Sequence, residues 1–319
     1  MDRWYRHFYQ PGIPLGKDGR RVTCSDEHIA LSRRAAAEGA VLLKNEGNML
    51  PIKRRVAVFG KGIADYVKGG GGSGDVTVPY MHSILDGLRQ KKTAGLLDFD
   101  EDLAEYYQCY VDAEYAAGAE PGLVKEAAFP SELAAKARKK ADTALIAISR
   151  FSGENWDRIS EGSPVFSTEK GTMELLKKEA AIFEHGDFYL SDAERKMVDS
   201  VLALFDDVIV VLNAGGMVDV SWIAGEGKIK AAIQAFQGGM EGGVAIADLL
   251  TGEKNPCGRL TDTYARNLSD YPSSFNFHES LDYVEYQDDI FVGYRYFSTI
   301  PGADAKVIYP FGYGLSYTS

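Results

Sequence analysis

Residues 143–158 read TALIAISRFSGENWDR. The run Ala144-Leu145-Ile146-Ala147-Ile148 carries no charge, and a short continuous apolar segment that ends in Ser and Gly is a strand buried on both faces. A carboxylate, Glu154, follows on a Ser/Gly-flanked loop, with an indole, Trp156, and a charged pair, Asp157 and Arg158, directly after it. Three more segments have the same strand character: VAVFG (56–60), VIVVLN (208–213) and IKAAIQAF (229–236). Helical patterns lie between them. YMHSILDGLRQ precedes residue 91, Ser131 opens an Ala/Lys-rich helix, and LSDAERKMVDSVLALF carries a capping box, Ser191 to Glu194, with an apolar face at Val198, Val201, Leu202 and Phe205. GVAIADLL follows the last strand. Doubly apolar strands alternating with helices predict an α/β fold, a mostly parallel sheet sandwiched by helices.

Outward from this core, residues 1–24 read as an irregular arm broken by Pro11, Gly12, Pro14, Gly16 and Gly19, and residues 25–319 as the folded domain. A helix starts near Ser25, with Asp26 and Glu27 favoured at its positive end. Its apolar face is expected to run Ile29, Ala36, Ala40, Leu43. Residues 98–126 hold nine acids against one lysine and predict a solvated, largely helical excursion. The tail from about 261, rich in Tyr, Asp and Pro, reads as loops and short strands.

With 319 residues, 45% of them hydrophobic, the chain can bury a core without a disulfide or metal staple. A net charge of −11 disfavours nucleic acid and anionic membranes as partners, since both attract a basic face. Cys24, Cys109 and Cys257 are odd in number and far apart, and the aromatic, charged opening MDRWYRHFYQ has no apolar core of a signal peptide; both point to a cytoplasmic location. The five histidines form no local metal motif, so neither a metal nor an organic cofactor is expected.

Function should sit where loops leave the carboxyl ends of parallel strands. Three loops qualify: the glycine run after 56–60, SGENW after 143–149, and NAGG after 208–213. The glycine run, GGGGSGD, lacks the Lys-Ser/Thr ending of a phosphate loop, and Asp75 would repel phosphate; GKGIAD (60–65) lacks the third glycine of a dinucleotide fingerprint. Its glycines either permit a tight path or let a bulky polar ligand approach, with Ser73 to hydrogen-bond it. Glu154 itself has three readings: a solvated carboxylate, a partner of Arg150 or Arg158, or a general acid/base whose pKa is raised by partial burial beside Trp156.

Six segments in order add a resemblance. AAAEGAVLLKNEGNMLPI, GGGGSGDV, SRFSGENWDR with GDFYLSDAE, VVLNAGGMVDVSW, QGGMEGGVAIADLLTGEKNPCGRLTDTY and IFVGYRYF…YPFGYGLSYT resemble the (α/β)6-sandwich domain of glycoside hydrolase family 3, the β-glucosidase family. The resemblance implies that Glu154 is the acid/base, that Ser73 touches the glycone sugar, and that Trp156 walls the aglycone side. It also implies a β-glucoside or related oligosaccharide as the substrate. A retaining glycosidase needs a second carboxylate about 5–5.5 Å from the first. In the family that nucleophile is an aspartate of a separate (β/α)8 barrel, for which this chain has no room. Ser191-Asp192 reads as a helix cap, and Ser269-Asp270 resembles a loop of the same domain, so neither supplies it. The expectation is therefore the acid/base half of a family member with reversed domain order, inactive without its barrel. The alternative is a non-catalytic sugar-binding or interaction module built on the same fold.

Overall fold

The computed structural model describes residues 22–154, 170–276 and 282–318, together with 17, 19, 159 and 280. All four apolar runs are strands of one sheet. In chain order its members are β1 (Val41–Asn45), β2 (Val56–Phe59), β3 (Thr143–Arg150), β4 (Asp207–Ala214) and β5 (Ile229–Gln234), arranged β1-β5-β4-β3-β2. β2 through β5 are parallel to their neighbours, while β1 runs antiparallel to β5. The register of β3 on β4 is unbroken, from Thr143 opposite Asp207 to Arg150 opposite Ala214, and every residue of β3 is buried. The expectation of a mostly parallel sheet between helices is met.

Helix α1 (Asp26–Gly39) begins where expected, with the Ser25 hydroxyl accepting from the His28 amide. It does not continue to Leu43. Ala40 is extended (φ −69°, ψ 142°), and Val41, Leu42 and Leu43, all buried, form the start of β1 instead. Helical spacing and a short apolar run coincide there. The free edge of β5 decides between them, because pairing satisfies both backbones and buries the three side chains at once. The sheet edges are in turn covered by single bridges, Leu42 with Leu315 and Val56 with Phe99, which blunts them against further pairing.

Helix α2 (Ile84–Thr93) starts at a capping box formed by Ser83 and Asp86. Helix α3 (Glu101–Ala116) lies in the acidic stretch and is solvated on one side only: Leu103, Ala104, Tyr107 and Val111 are buried. The chain goes on through α4 (Ser131–Arg138), α5 (Lys170–Ala180), α6 (Asp192–Leu204), α7 (Ser221–Ala224) and α8 (Gly242–Thr251). Every residue of α8 from Gly242 to Leu250 is buried; all are apolar or glycine except Asp248, whose carboxylate accepts from Arg33 and Lys91. Its contact with α2 is backbone-close: a Cβ at Gly87 would stand 2.4 Å from the Gly243 carbonyl oxygen. The tail holds a two-stranded antiparallel pair, β6 (Tyr264–Ala265) and β7 (Val307–Tyr309), with α9 (Tyr294–Thr299) between them. Among the described residues no helix is long and apolar enough to cross a membrane. The arm ahead of Val22 lies almost wholly outside the described residues.

Candidate active site

Because β2, β3 and β4 run in parallel, the three suspected loops leave the same edge of the sheet. The first turns immediately. Gly60 has φ +89°, and Cβ atoms at Gly60 and Gly62 would lie 2.4 and 2.7 Å from the Ala147 carbonyl oxygen, so the chain after β2 runs flush against β3. Beneath this turn is a buried polar network. Lys61 Nζ donates to Asp65 Oδ2 (2.6 Å) and Ser149 Oγ (3.1 Å), and Tyr115 donates to Asp65 Oδ1 (2.6 Å). The Lys61 amide donates to both carboxylate oxygens of Glu126 (3.2 and 3.0 Å). Burial, joined by the charge of Glu194, pushes Glu126 up to about 8.

A further tie comes from the third loop. Asn213, fully buried near the end of β4, accepts from the Val67 amide (2.7 Å) and donates to the carbonyls of Val67 (3.0 Å) and Phe236 (2.7 Å). The NAGG segment thus acts through its asparagine, which pins the root of the glycine loop to the ends of β4 and β5. Lys68 Nζ then closes the loop by donating to Asp75 Oδ1 (2.5 Å) and the Val76 carbonyl (2.9 Å).

Within that closed loop lies Glu154. Its amide donates to the Gly71 carbonyl (3.4 Å). One carboxylate oxygen, Oε2, receives the Ser73 amide (2.7 Å) and the Ser73 hydroxyl. Side chains at the adjacent glycines would not fit: a Cβ on Gly72, whose φ is +68°, would be 2.4 Å from Glu154 Cβ, and one on Gly153 would be 2.0 Å from the Gly71 nitrogen. The anion in this glycine loop is the protein's own carboxylate, which leaves no phosphate role for it. Asp75 is paired with Lys68 at the loop's exit.

The structure therefore brings two of the three sequence-predicted site residues, Glu154 and Ser73, into direct contact. Trp156 lies outside the described residues, as do Asp157 and Arg158. One expectation is corrected. Glu154 is exposed, and the Ser73 hydroxyl, seconded by the Ser73 amide, holds its carboxyl below the usual glutamate value rather than above it. Nothing apolar covers it among the described residues, and hydrogen bonds to the charged form favour ionisation. Arg150 is not its partner. That guanidinium turns into the core, donates to both oxygens of Glu194 (2.6 and 2.6 Å) and to the carbonyls of Asp187 and Tyr189 (2.9 and 2.9 Å), and stacks 4.4 Å from the Phe183 ring. Both Ser-Asp pairs do structural work: Ser191 caps α6, and Asp270 accepts from the Asn267 amide and side chain.

Lys61, Glu126, Asn213 and Glu194 escaped the sequence reading as parts of the site. All four pair across 44 to 146 residues. The available signal was a polar residue, Lys61 or Asn213, placed at or just past the end of an apolar strand.

Two expected outcomes arise here. Gly153→Ala should part the two loops, because its Cβ would meet backbone that cannot yield. A loss of about 1–3 kcal/mol is expected, as for other overpacked positions, read as a lower urea midpoint. Glu126, neutral when folded below about 8 and ionised above 4.5 when unfolded, binds more protons in the native state across that window. Its contribution is fully present below pH 4.5 and is lost as pH rises through about 8. The urea midpoint should therefore fall across that interval, and Glu126→Gln should flatten the slope.

Against known proteins, residues 40–317 match the description "Glycosyl hydrolase family 3 C-terminal domain". Beta-glucosidase A of Butyrivibrio fibrisolvens is 53% identical over 321 residues, covering 100% of this chain and 38% of that protein. A beta-glucosidase of Ruminococcus albus is 36% identical over 92% of this chain and 28% of its own length. Among solved structures, a beta-glucosidase from Paenibacillus barengoltzii superposes with a TM-score of 0.77 at 39% identity, over 92% of this chain and 30% of that one. Beta-glucosidase 3B of Thermotoga neapolitana in complex with glucose gives 0.75 at 35% identity, over 95% and 40%. The chain thus spans less than two-fifths of the length of the Butyrivibrio and Ruminococcus relatives.

Proposed function

The chain belongs to glycoside hydrolase family 3, as that family's C-terminal domain, and from this we propose that it contributes the general acid/base, Glu154, to a retaining β-glucosidase. The observation that carries the reading is the position of Glu154: an exposed carboxylate at the carboxyl edge of a parallel sheet, oriented by a glycine loop shaped around it. The substrate is a terminal β-linked glucosyl residue. The aspartate nucleophile and most of the glycone contacts come from a (β/α)8 barrel, of the same or another polypeptide, facing this edge.

The division of labour follows from the charge state. Held ionised by Ser73, Glu154 has no proton to give to a leaving group at neutral pH. A barrel closing over the edge would strip water from the carboxylate and set it near the nucleophile's negative charge. Both effects raise its pKa toward the value an acid catalyst needs. Glu154 then protonates the glycosidic oxygen as the nucleophile displaces the aglycone, and afterwards takes a proton from the water that hydrolyses the glycosyl-enzyme.

A chimera tests this: the present chain replaces the matching segment of the Butyrivibrio relative. The expected result is hydrolysis of an aryl β-glucoside by the chimera, its loss on Glu154→Gln, and no turnover by the present chain alone. Clear turnover by the chain alone would put both carboxylates within it and sink the two-part reading.

A further inference from the structure

The two donors of Ser73 converge on one oxygen. Oε2 of Glu154 receives the hydroxyl and the 2.7 Å amide contact, while Oε1 has no hydrogen-bond partner among the described residues. This is a local construction. Lys68 and Asp75, the charged side chains of the glycine loop, are engaged with each other, and Arg150, at the end of β3, is engaged with Glu194 in the core. Gly72 takes a left-handed turn with no room for a Cβ on its Glu154 side, so the loop can wrap the carboxylate only with glycine at that position. The Gly71–Glu154 backbone contact and the Lys68 clasp keep Ser73 in place.

From this geometry, and resting on the acid/base reading above, we propose that Ser73 is a positioning residue: it holds Oε2 of Glu154 and leaves Oε1 as the oxygen that exchanges the proton. The assignment balances over both halves of the reaction. In the first half the proton leaves Oε1 for the glycosidic oxygen as the carbon–oxygen bond breaks. In the second, Oε1 takes a proton from the attacking water, whose oxygen bonds to the anomeric carbon as the nucleophile departs. Oε2 is an acceptor in both states, so Ser73 keeps its donors in place throughout. The Ser73 hydroxyl proton is committed to Glu154, so any contact of this hydroxyl with the glycone sugar would be made through its lone pairs. The hydroxyl is a donor to the charged form and so helps hold the carboxyl below its usual value; its loss should raise that value.

The test needs no activity. In the present chain labelled with carboxyl-13C glutamate, the Glu154 signal is assigned by its disappearance in Glu154→Gln and followed against pH. The wild-type midpoint should lie below that of an ordinary glutamate. In Ser73→Ala it should rise toward that ordinary value, the amide contact remaining, and in Ser73→Thr, which restores a hydroxyl, it should return. An unmoved midpoint in Ser73→Ala, in a variant with an otherwise native spectrum, overturns the assignment. So does a Thr variant that behaves like the Ala variant. In an active chimera, Ser73→Ala should also carry the alkaline limb of kcat/KM to higher pH. A moved midpoint with an inactive chimera would retain the positioning role and reject the catalytic reading, so the two failures are told apart.

Discussion

In the chimera, Glu154→Ala should slow hydrolysis of an alkyl β-glucoside by about 10²–10⁴-fold, the range in which a positioned acid/base contributes. The loss should depend on the leaving group. An alkoxide cannot depart unprotonated, so the first step carries the whole penalty. A dinitrophenolate departs without a proton, and its displacement should be little affected. The second step then becomes slow, because no base activates water, and the glycosyl-enzyme accumulates as a burst. Azide, a nucleophile that needs no base, should restore turnover and yield β-glucosyl azide. A uniform loss across leaving groups, unrelieved by azide, would mean that Glu154 shapes the site without handling the proton. The dependence would persist even if the Ser73 assignment failed, because it tests the carboxyl and not its support.

Glu194→Gln should be the most damaging single substitution for stability, at about 3–5 kcal/mol, because it strands a buried guanidinium. Arg150 and Glu194 are both buried, and their two parallel contacts of 2.6 Å join the end of β3 to the first turn of α6. Glu194 also closes the α6 capping box by accepting from the Ser191 amide at 2.9 Å. Burial pushes the Glu194 carboxyl up, but the charge and hydrogen bonds of Arg150, with the Ser191 amide, outweigh it and hold it below the usual carboxylate value. A depressed native value means stability present above the unfolded glutamate pKa and lost as pH falls through the native one. Urea midpoints should therefore show a deficit in the variant that narrows toward acid pH. Arg150→Met combined with Glu194→Leu should cost less than the two single changes added, since neither charge is then left alone. Strict additivity would show that the pair is not coupled. Arg150 lies four residues before Glu154 on the same strand end, so loosening this pair should also loosen the loop that carries the proposed acid/base.

Some of this architecture was legible along the chain because it is locally encoded. An uncharged run such as 144–148 cannot be left in water, and Ser191 with Glu194 satisfies helix amides within one turn. Glu154 and Ser73 could be singled out because each follows such a run on a loop of small residues. The segment 40–45 was not readable in the same way. Its residues suit a helix face or a strand equally, and the choice was made by the unpaired edge of β5. The partners of Arg150 were equally out of reach. Glu154 and Arg158 are its near neighbours in sequence, but Glu194 is its neighbour in space.

By itself the sequence determined the chain order of the four parallel strands and the helical segments between them, the caps at Ser25 and Ser191, the kinship with a glycosidase family and the carboxylate most worth suspecting, since these depend on hydrophobic period and on residues a few positions apart. Only the tertiary structure decided that β1 is a strand, that Asn213 and the Lys61 network anchor the glycine loop, and that Ser73 holds Glu154 as an exposed anion. Those outcomes rest on contacts between groups scores of residues apart, whose energies depend on burial and direction, and neither quantity exists until the chain is folded.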